Sequence, residues 1–194
     1  VVDPATVFDD IHLIIPDHLD PRSSFNELER HLEALRHEPC VGLDIETNGL
    51  RPWKVKDPQI LTCAIGTEHS TVAFPLDFPN TWVTERWRRS AWDLLGDFLM
   101  SSGRKVAHHV AMEMTWLSYF YGKRILRGTE WEDTMAAAHT FDERPGTKSL
   151  EVQTVINFGF NLKAQSRLDV KRLSSYPLAK VLKYNGGDAK YTHA

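Results

Sequence analysis

The sequence predicts an α/β domain built on one mixed sheet, a three-strand meander plus two parallel strands, flanked by helices. Three observations carry this. Short apolar runs at 41–47, 60–66 and 71–74 are separated by turn residues, the pattern of an antiparallel meander. After them helical and strand-like segments alternate before the chain turns helical, which suits further strands of a mixed sheet covered by helices. The chain has 194 residues, 42% hydrophobic and 25% charged, enough for one domain with a sizeable core.

In order, the apolar run Ile11 to Ile15, closed by Pro16-Asp17, reads as an extra strand or arm, so residues 1–24 form an N-terminal segment ahead of a domain over 25–194. Ser23-Ser24 can cap a helix over 25–36, with Phe25, Leu28, Leu32 and Leu35 at helical spacing. Glu38-Pro39 ends it. The strand Val41 to Thr47 follows and stops at Asn48-Gly49, a turn signal. A loop over 51–58 leads to strands 60–66 and 71–74, joined by Thr67-Glu68-His69-Ser70. A helix over 84–100 carries Trp87, Trp92, Leu94, Leu95 and Phe98. Ser101-Ser102-Gly103 stops it, ahead of a short strand at 105–108. A helix over 110–121 carries Met112, Trp116, Leu117 and Phe120, and 131–133 is the last strand. From there helices are predicted at 134–140, 150–157 and from about 178 onward, with a loop at 144–148. No internal repeat or low-complexity tract is present.

The net charge of -3 leaves no global basic excess, so contact with a nucleic acid must be local and helped by bound cations. Lys54, Lys56, Lys105, Arg167, Lys171 and Arg172 are candidates for it, and each also reads as an ordinary solvated charge. Cys40 and Cys63 lack metal-type spacing and read as structural thiols in a reducing compartment, with a disulfide between them left open. No apolar run approaches the ~20 residues of a membrane span, and no secretory signal opens the chain. The chain starts at Val1 and stops at Ala194 inside a predicted helix, so a fragment of a longer chain with a C-terminal neighbour is expected.

The chemistry centres on Val41-Gly42-Leu43-Asp44-Ile45-Glu46. Alternate side chains of a strand share a face, so Val41, Leu43 and Ile45 make one aliphatic face and Asp44 and Glu46 sit together on the other. At ~4 Å and an effective dielectric of ~20 two like charges cost about 4 kcal/mol. Solvation, a retained proton or a bound cation relieves that cost; the solvated case is the exposed face of an edge strand. A second acid, Glu113, lies one turn into a helix that opens just after a strand, where the dipole favours carboxylates. His108 and His109 are adjacent and point opposite ways in a strand, which makes them a poor metal pair. A third group is Tyr184-Asn185-Gly186-Gly187-Asp188. Tyr184 and Asp188 share a helix face at a spacing of four. The two glycines weaken a helix by ~1 kcal/mol each, which indicates either close backbone approach or a turn at a helix end.

The order and spacing of these groups resemble the DEDD superfamily of 3′–5′ exonucleases, in the subclass with a catalytic Tyr. They are most similar to the proofreading domain of family A DNA polymerases, phage enzymes included. The matching text is Leu43 to Leu50, Val106 to Leu117, Asp133 to Ala137, Ser149-Leu150 and Lys183 to Ala189. The resemblance implies a ribonuclease-H-like fold and two divalent cations, Mg²⁺ or Mn²⁺. Asp44, Glu46 and Asp188 would hold one, and Asp44 would bridge to the other. Glu113 stands where the family usually has Asp, one methylene shorter, and would reach the second ion through water or with altered geometry. Tyr184 would orient the attacking water. Leu50 would wedge against the terminal base, with Thr47 in the same substrate-binding motif. His109 replaces the usual Asn that contacts the DNA end, and Asp133 would play a supporting part. The implied partners are a single-stranded DNA 3′ end and a polymerase domain in the same longer chain, with no membrane, in the cytoplasm of a bacterial or phage-infected cell. An RNase-D-like exoribonuclease and a silent nucleic-acid-binding scaffold are the alternatives.

Overall fold

A computed structural model describes residues 6–101, 103–127, 129–166 and 168–194. In chain order they form β1 (Ile11–Leu13), α1 (Pro21–Leu35), β2 (Cys40–Thr47), β3 (Ile60–Gly66), β4 (Thr71–Pro75), α2 (Glu85–Leu99), β5 (Arg104–Ala107), α3 (Val110–Tyr121), β6 (Trp131–Asp133), α4 (Thr134–Phe141), α5 (Leu150–Phe158), α6 (Leu162–Ser166) and α7 (Leu178–His193). The strands make one sheet in the order β1-β4-β3-β2-β5-β6. β2, β3 and β4 are the antiparallel meander; β5 pairs parallel with β2 and β6 parallel with β5. The fold is the mixed sheet flanked by helices that the pattern predicts, extended by β1, which pairs parallel with β4.

β2 is therefore an inner strand, and the reading of its acids as an exposed edge is set aside. Its Val41, Leu43 and Ile45 join a buried cluster with Leu28, Leu32 and Leu35 of α1, Leu95 and Phe98 of α2, and Trp116 of α3. Each fully buried aliphatic side chain contributes about 1.5–3 kcal/mol, so this face supplies most of the apolar burial. The opposite face is covered by α7, which packs against β1, β2, β3 and β4. The row beneath it is made of small residues: Asp44 pairs across with Ala64, and Ala64 with Ala73.

The close approach of α7 explains its two glycines. A Cβ at Gly186 would meet Ile11 Cγ2 at 2.4 Å, and one at Gly187 would meet Phe8 Cε1 at 2.7 Å. A Cβ at Gly42 of β2 would meet the Ala189 carbonyl oxygen at 2.2 Å. α7 runs without a break through Gly186 and Gly187, so the helix-end reading of Gly-Gly-Asp is corrected in favour of close packing.

Two other expectations are corrected. α1 starts at Pro21, a turn before the predicted start, because Asp20 rather than Ser23 caps it, accepting the Ser23 N–H with Pro21 in the first turn. Lys105 is fully buried, not a backbone contact: its Nζ donates to the carbonyls of Ser101 and Gly103 at 2.6 and 2.7 Å. The short helix α6 and the 3₁₀ turns at Pro52–Lys54, Lys123–Leu126 and Val170–Ser175 carry no periodic signal long enough to predict. Cys40 and Cys63 are free thiols. Among the described residues, no helix is long and apolar enough to cross a membrane.

Candidate active site

At the C-terminal end of β2 the ladder with β3 is irregular between Glu46 and Thr47, a disruption common beside sites because it re-aims side chains. Asp44 and Glu46 project here toward α7. Asp44, Glu46 and Asp188 each offer a carboxylate oxygen, and the three oxygens lie within 4.8 Å of one another. Asn185, fully buried on α7, donates from Nδ2 to Asp44 Oδ2 at 2.6 Å. The buried Tyr184 phenol lies beside the Asp188 carboxylate and favours its charged form. One helix face thus delivers a phenol, an amide and an acid to the two acids of the strand.

Glu113 enters from the first turn of α3, buried, with Oε2 lacking a hydrogen-bond partner among the described residues. Burial pushes its carboxyl up to about 8. Burial likewise raises Asp44 well above the usual carboxylate range, reinforced by Asp188, Glu46 and Glu113. Glu46 is raised by burial and then by Asp188 and Glu113. Asp188 is pushed up to about 7 by burial, against the adjacent Tyr184 phenol and the positive charge of Lys163. Burial, then the Asp188 charge, holds the Tyr184 phenol protonated. Lys163 offsets only part of the rise for Glu46 and Asp188, and the cluster as a whole is short of positive charge. Convergent, oxygen-only donors, half-buried or buried, suit hard divalent cations such as Mg²⁺ or Mn²⁺.

The remaining predicted residues surround this cluster. Thr47 Oγ1 donates to the Gly49 carbonyl at 2.8 Å, and Asn48 bridges to the Asp57 carbonyl and the Gln59 N–H at 2.7 and 3.0 Å. On this braced turn Leu50 is 84% exposed. A cavity of about 460 Å³ lies beside it, lined by Glu46, Thr47, Leu50, Met112, Val170 and Leu173. A larger cleft, about 770 Å³, surrounds Asp77, Arg88 and Trp92, and its described lining includes none of the four acids. His109 sits exposed at the start of α3 in a left-handed conformation with φ +90°. Its N–H donates to Asp133 at 3.1 Å, and the same carboxylate oxygen caps α4 through the Met135 and Ala136 N–H groups. Asp133 thus supports the turn. His108 points away, with Nδ1 2.9 Å from Thr134 Oγ1. Lys54, Lys56, Lys171 and Arg172 are exposed, and Arg167 lies outside the described residues.

Two neighbours were not singled out from the sequence. Asn185 was legible, lying inside the Tyr184–Asp188 motif three residues before the acid. Lys163, whose charge opposes the raised Glu46 and Asp188, lies on α6, which has no sequence signal.

Comparison with known proteins agrees with this arrangement. Residues 23–194 match the family model DNA_pol_A_exo1, described as 3′–5′ exonuclease. No curated protein sequence matches. Similar solved structures include the catalytic core of Rrp6 from Trypanosoma brucei, with TM-score 0.61 and 16% identity over 94% of this chain and 45% of that one. The Nibbler EXO domain of Aedes aegypti gives 0.59 and 10% over 93% and 83%. A chain in the structure of the yeast NOT1 MIF4G domain co-crystallized with CAF1 gives 0.53 and 11% over 95% and 90%. This chain thus spans less than half of the Rrp6 core. At such identities the structural likeness speaks for the fold, and the family match speaks for the chemistry. With the family model covering nearly the whole chain, the protein belongs to the 3′–5′ exonuclease domain family that it describes and is a nuclease.

Proposed function

We propose that this domain removes nucleoside 5′-monophosphates one at a time from single-stranded or frayed DNA 3′ ends, as the proofreading domain of a family A DNA polymerase. The observation that carries the reading is the convergence of Asp44, Glu46 and Asp188 within 4.8 Å, with the Tyr184 phenol beside Asp188. Asp44, Glu46 and Asp188 would hold one divalent cation, and Asp44 with Glu113 a second. Such ions supply Lewis acidity to the scissile phosphate and a more acidic attacking water.

The chain's own residues do the positioning. Tyr184 keeps its proton and lies beside Asp188, so its oxygen can accept from and orient a water in line with the phosphorus. Asn185 holds Asp44 in one orientation by donating to one oxygen and leaves the other free. Leu50, exposed on a braced turn, can stack on the terminal base without reading sequence. His109, with an exposed ring at the start of α3, can donate to the terminal phosphate, and Thr47 shapes the adjoining cavity. The phosphodiester P–O3′ bond breaks, water oxygen becomes the fourth oxygen of the released 5′-phosphate, and a proton goes to the departing 3′ oxygen.

The test is a 5′-labelled single-stranded oligonucleotide incubated with the protein and Mg²⁺ or Mn²⁺. A descending ladder on DNA is expected. A ladder confined to RNA replaces the DNA reading with an exoribonuclease, and no cleavage of either polymer with either metal overturns the catalytic reading.

A further inference from the structure

A second group of metal-ligating side chains lies on the aliphatic side of the molecule, apart from the acids. His12 of β1 and Glu27 and His31 of α1 each offer one ligand atom, all within 4.8 Å of one another. His12 Nε2 is 2.8 Å from Glu27 Oε1. The two imidazoles stack with centroids 4.1 Å apart and planes 25° from parallel. Glu27 and His31 are four residues apart on α1, so the helix itself puts them on one face. His31 Nε2 is buried and has no hydrogen-bond partner among the described residues.

Stacked imidazoles beside one carboxylate are ill served by protons alone, since two imidazolium charges at this distance repel. The buried, unpartnered His31 Nε2 offers a lone pair in the neutral ring. We infer that His12, Glu27 and His31 form a binding site for a borderline transition-metal ion of the Zn²⁺ class, distinct from the hard-cation site of Asp44, Glu46 and Asp188. Two imidazoles and a carboxylate fit such an ion, with water as the fourth ligand. Metal–ligand bonds of ~2.0–2.2 Å bring donors to roughly 3.3–3.5 Å apart, so the half-exposed His12 ring must swing out of the stack for its lone pair and that of His31 to converge on one ion.

The ion would act as a staple. β1 is a three-residue edge strand, held to β4 by short pairing and an Ile14 N–H to Ala73 carbonyl bond of 2.9 Å. It also braces α7: Ile11 packs where a Gly186 Cβ would be, and Lys190 pairs with Asp10 at 3.0 Å. Tying β1 to α1 therefore secures the strand against which the helix bearing Tyr184 and Asp188 rests.

The experiment uses the full chain carrying Asp44→Ala and Asp188→Ala, so the acid cluster no longer takes up metal. Equilibrium dialysis with Zn²⁺ is expected to give one ion per chain and a Tm several degrees higher, with no shift from Mg²⁺. Co²⁺ is expected to give a visible band of tetrahedral intensity. His31→Gln in the same background should weaken Zn²⁺ binding at least tenfold and abolish the band. If His31→Gln does not fold, His12→Gln, at a half-exposed side chain, is read in the same way. Absence of Zn²⁺ uptake by the background protein overturns the site, as does uptake and a Tm rise unchanged in the histidine variant.

Discussion

The two faces of β2 differ in what they hold unsatisfied. On one face Val41, Leu43 and Ile45 are enclosed by α1, α2 and α3 in an aliphatic cluster. On the other, half-buried Asp44 and Glu46 meet Asp188 and the orphaned oxygen of Glu113. Residues one position apart thus stabilise the fold and strain it. Such stored repulsion marks a site kept for binding at some expense in stability. The difference also shows why α7 is glycine-bearing: small residues on the sheet let a helix carry charged groups close to the strand, where bulky aliphatic packing would hold it off.

The sharpest way to break this comparison is to mutate neighbours. Asp44→Ala is expected to reduce exonuclease turnover by roughly three orders of magnitude or more, since ligation at the reacting phosphate is worth several kcal/mol. It should also stabilise the metal-free protein by about 1 kcal/mol, or roughly 2–4 °C in Tm. Leu43→Ala should do the reverse, costing about 2–5 kcal/mol of stability with turnover per folded molecule retained. Gel-based digestion and thermal melts on both variants decide it. Digestion by Asp44→Ala at the parent rate, or equal destabilisation in the two, would dissolve the distinction.

The seating of α7 comes next. In Gly42→Ala the new methyl meets the Ala189 carbonyl, and backbone must move. A shift near 1 Å at a site can cost ~100-fold in rate, and overpacking about 1–3 kcal/mol. Turnover at saturating metal, measured beside the melt, separates misplacement from unfolding. A variant with parental turnover would show that the α7 position is not rate-determining. Tyr184→Phe should slow digestion by roughly tenfold, a smaller effect because the phenol orients water rather than holding charge. Divalent-metal affinity should be unchanged in it by calorimetry; a variant that loses affinity would make Tyr184 a structural support of Asp188 instead.

Much of this was legible in the sequence because the pattern and the demand coincide. Alternation at 41–46 separates the faces of β2, and the spacing of Tyr184 and Asp188 sets one face of α7. The glycines of that helix announced close approach but not its partner: Ile11, Phe8 and Ala73 come from distant parts of the chain, and no local pattern records a long-range fit. The cap of α1 was misread because two serines outweighed Asp20-Pro21, a stronger start signal lying one turn earlier. Lys105 reads as solvated in any sequence; only the carbonyls of Ser101 and Gly103, which its Nζ meets in the fold, show that it is buried. His12 and His31 are nineteen positions apart on different elements, so their meeting follows from how β1 lies beside α1.

The smallest expected effect tests whether the strained face is strained by charge. Asp188 and Glu113 are pushed up to about 7 and about 8 by burial, so the folded protein holds protons that the unfolded chain has already released. Such groups contribute stability that is fully present below the ordinary carboxylate range and is lost as pH rises through about 7 and about 8. Three other groups push the opposite way and bound the useful window. Burial lowers His31 and His108, so they add stability as pH rises toward about 6.5. Lys105, lowered by burial to about 8, does the same above that pH. Between about pH 6.5 and 8, then, the metal-free protein in chelator should lose on the order of 1–2 kcal/mol, a fall of roughly 2–8 °C in Tm. Mg²⁺ should flatten the slope by supplying the missing positive charge, and Glu113→Gln should reduce it without metal. Leu43→Ala, on the aliphatic face, should lower the whole curve and leave its slope alone. A metal-free Tm that is level or rising across that window would mean the acids are already compensated, and the contrast between the two faces of β2 would then be one of shape rather than charge.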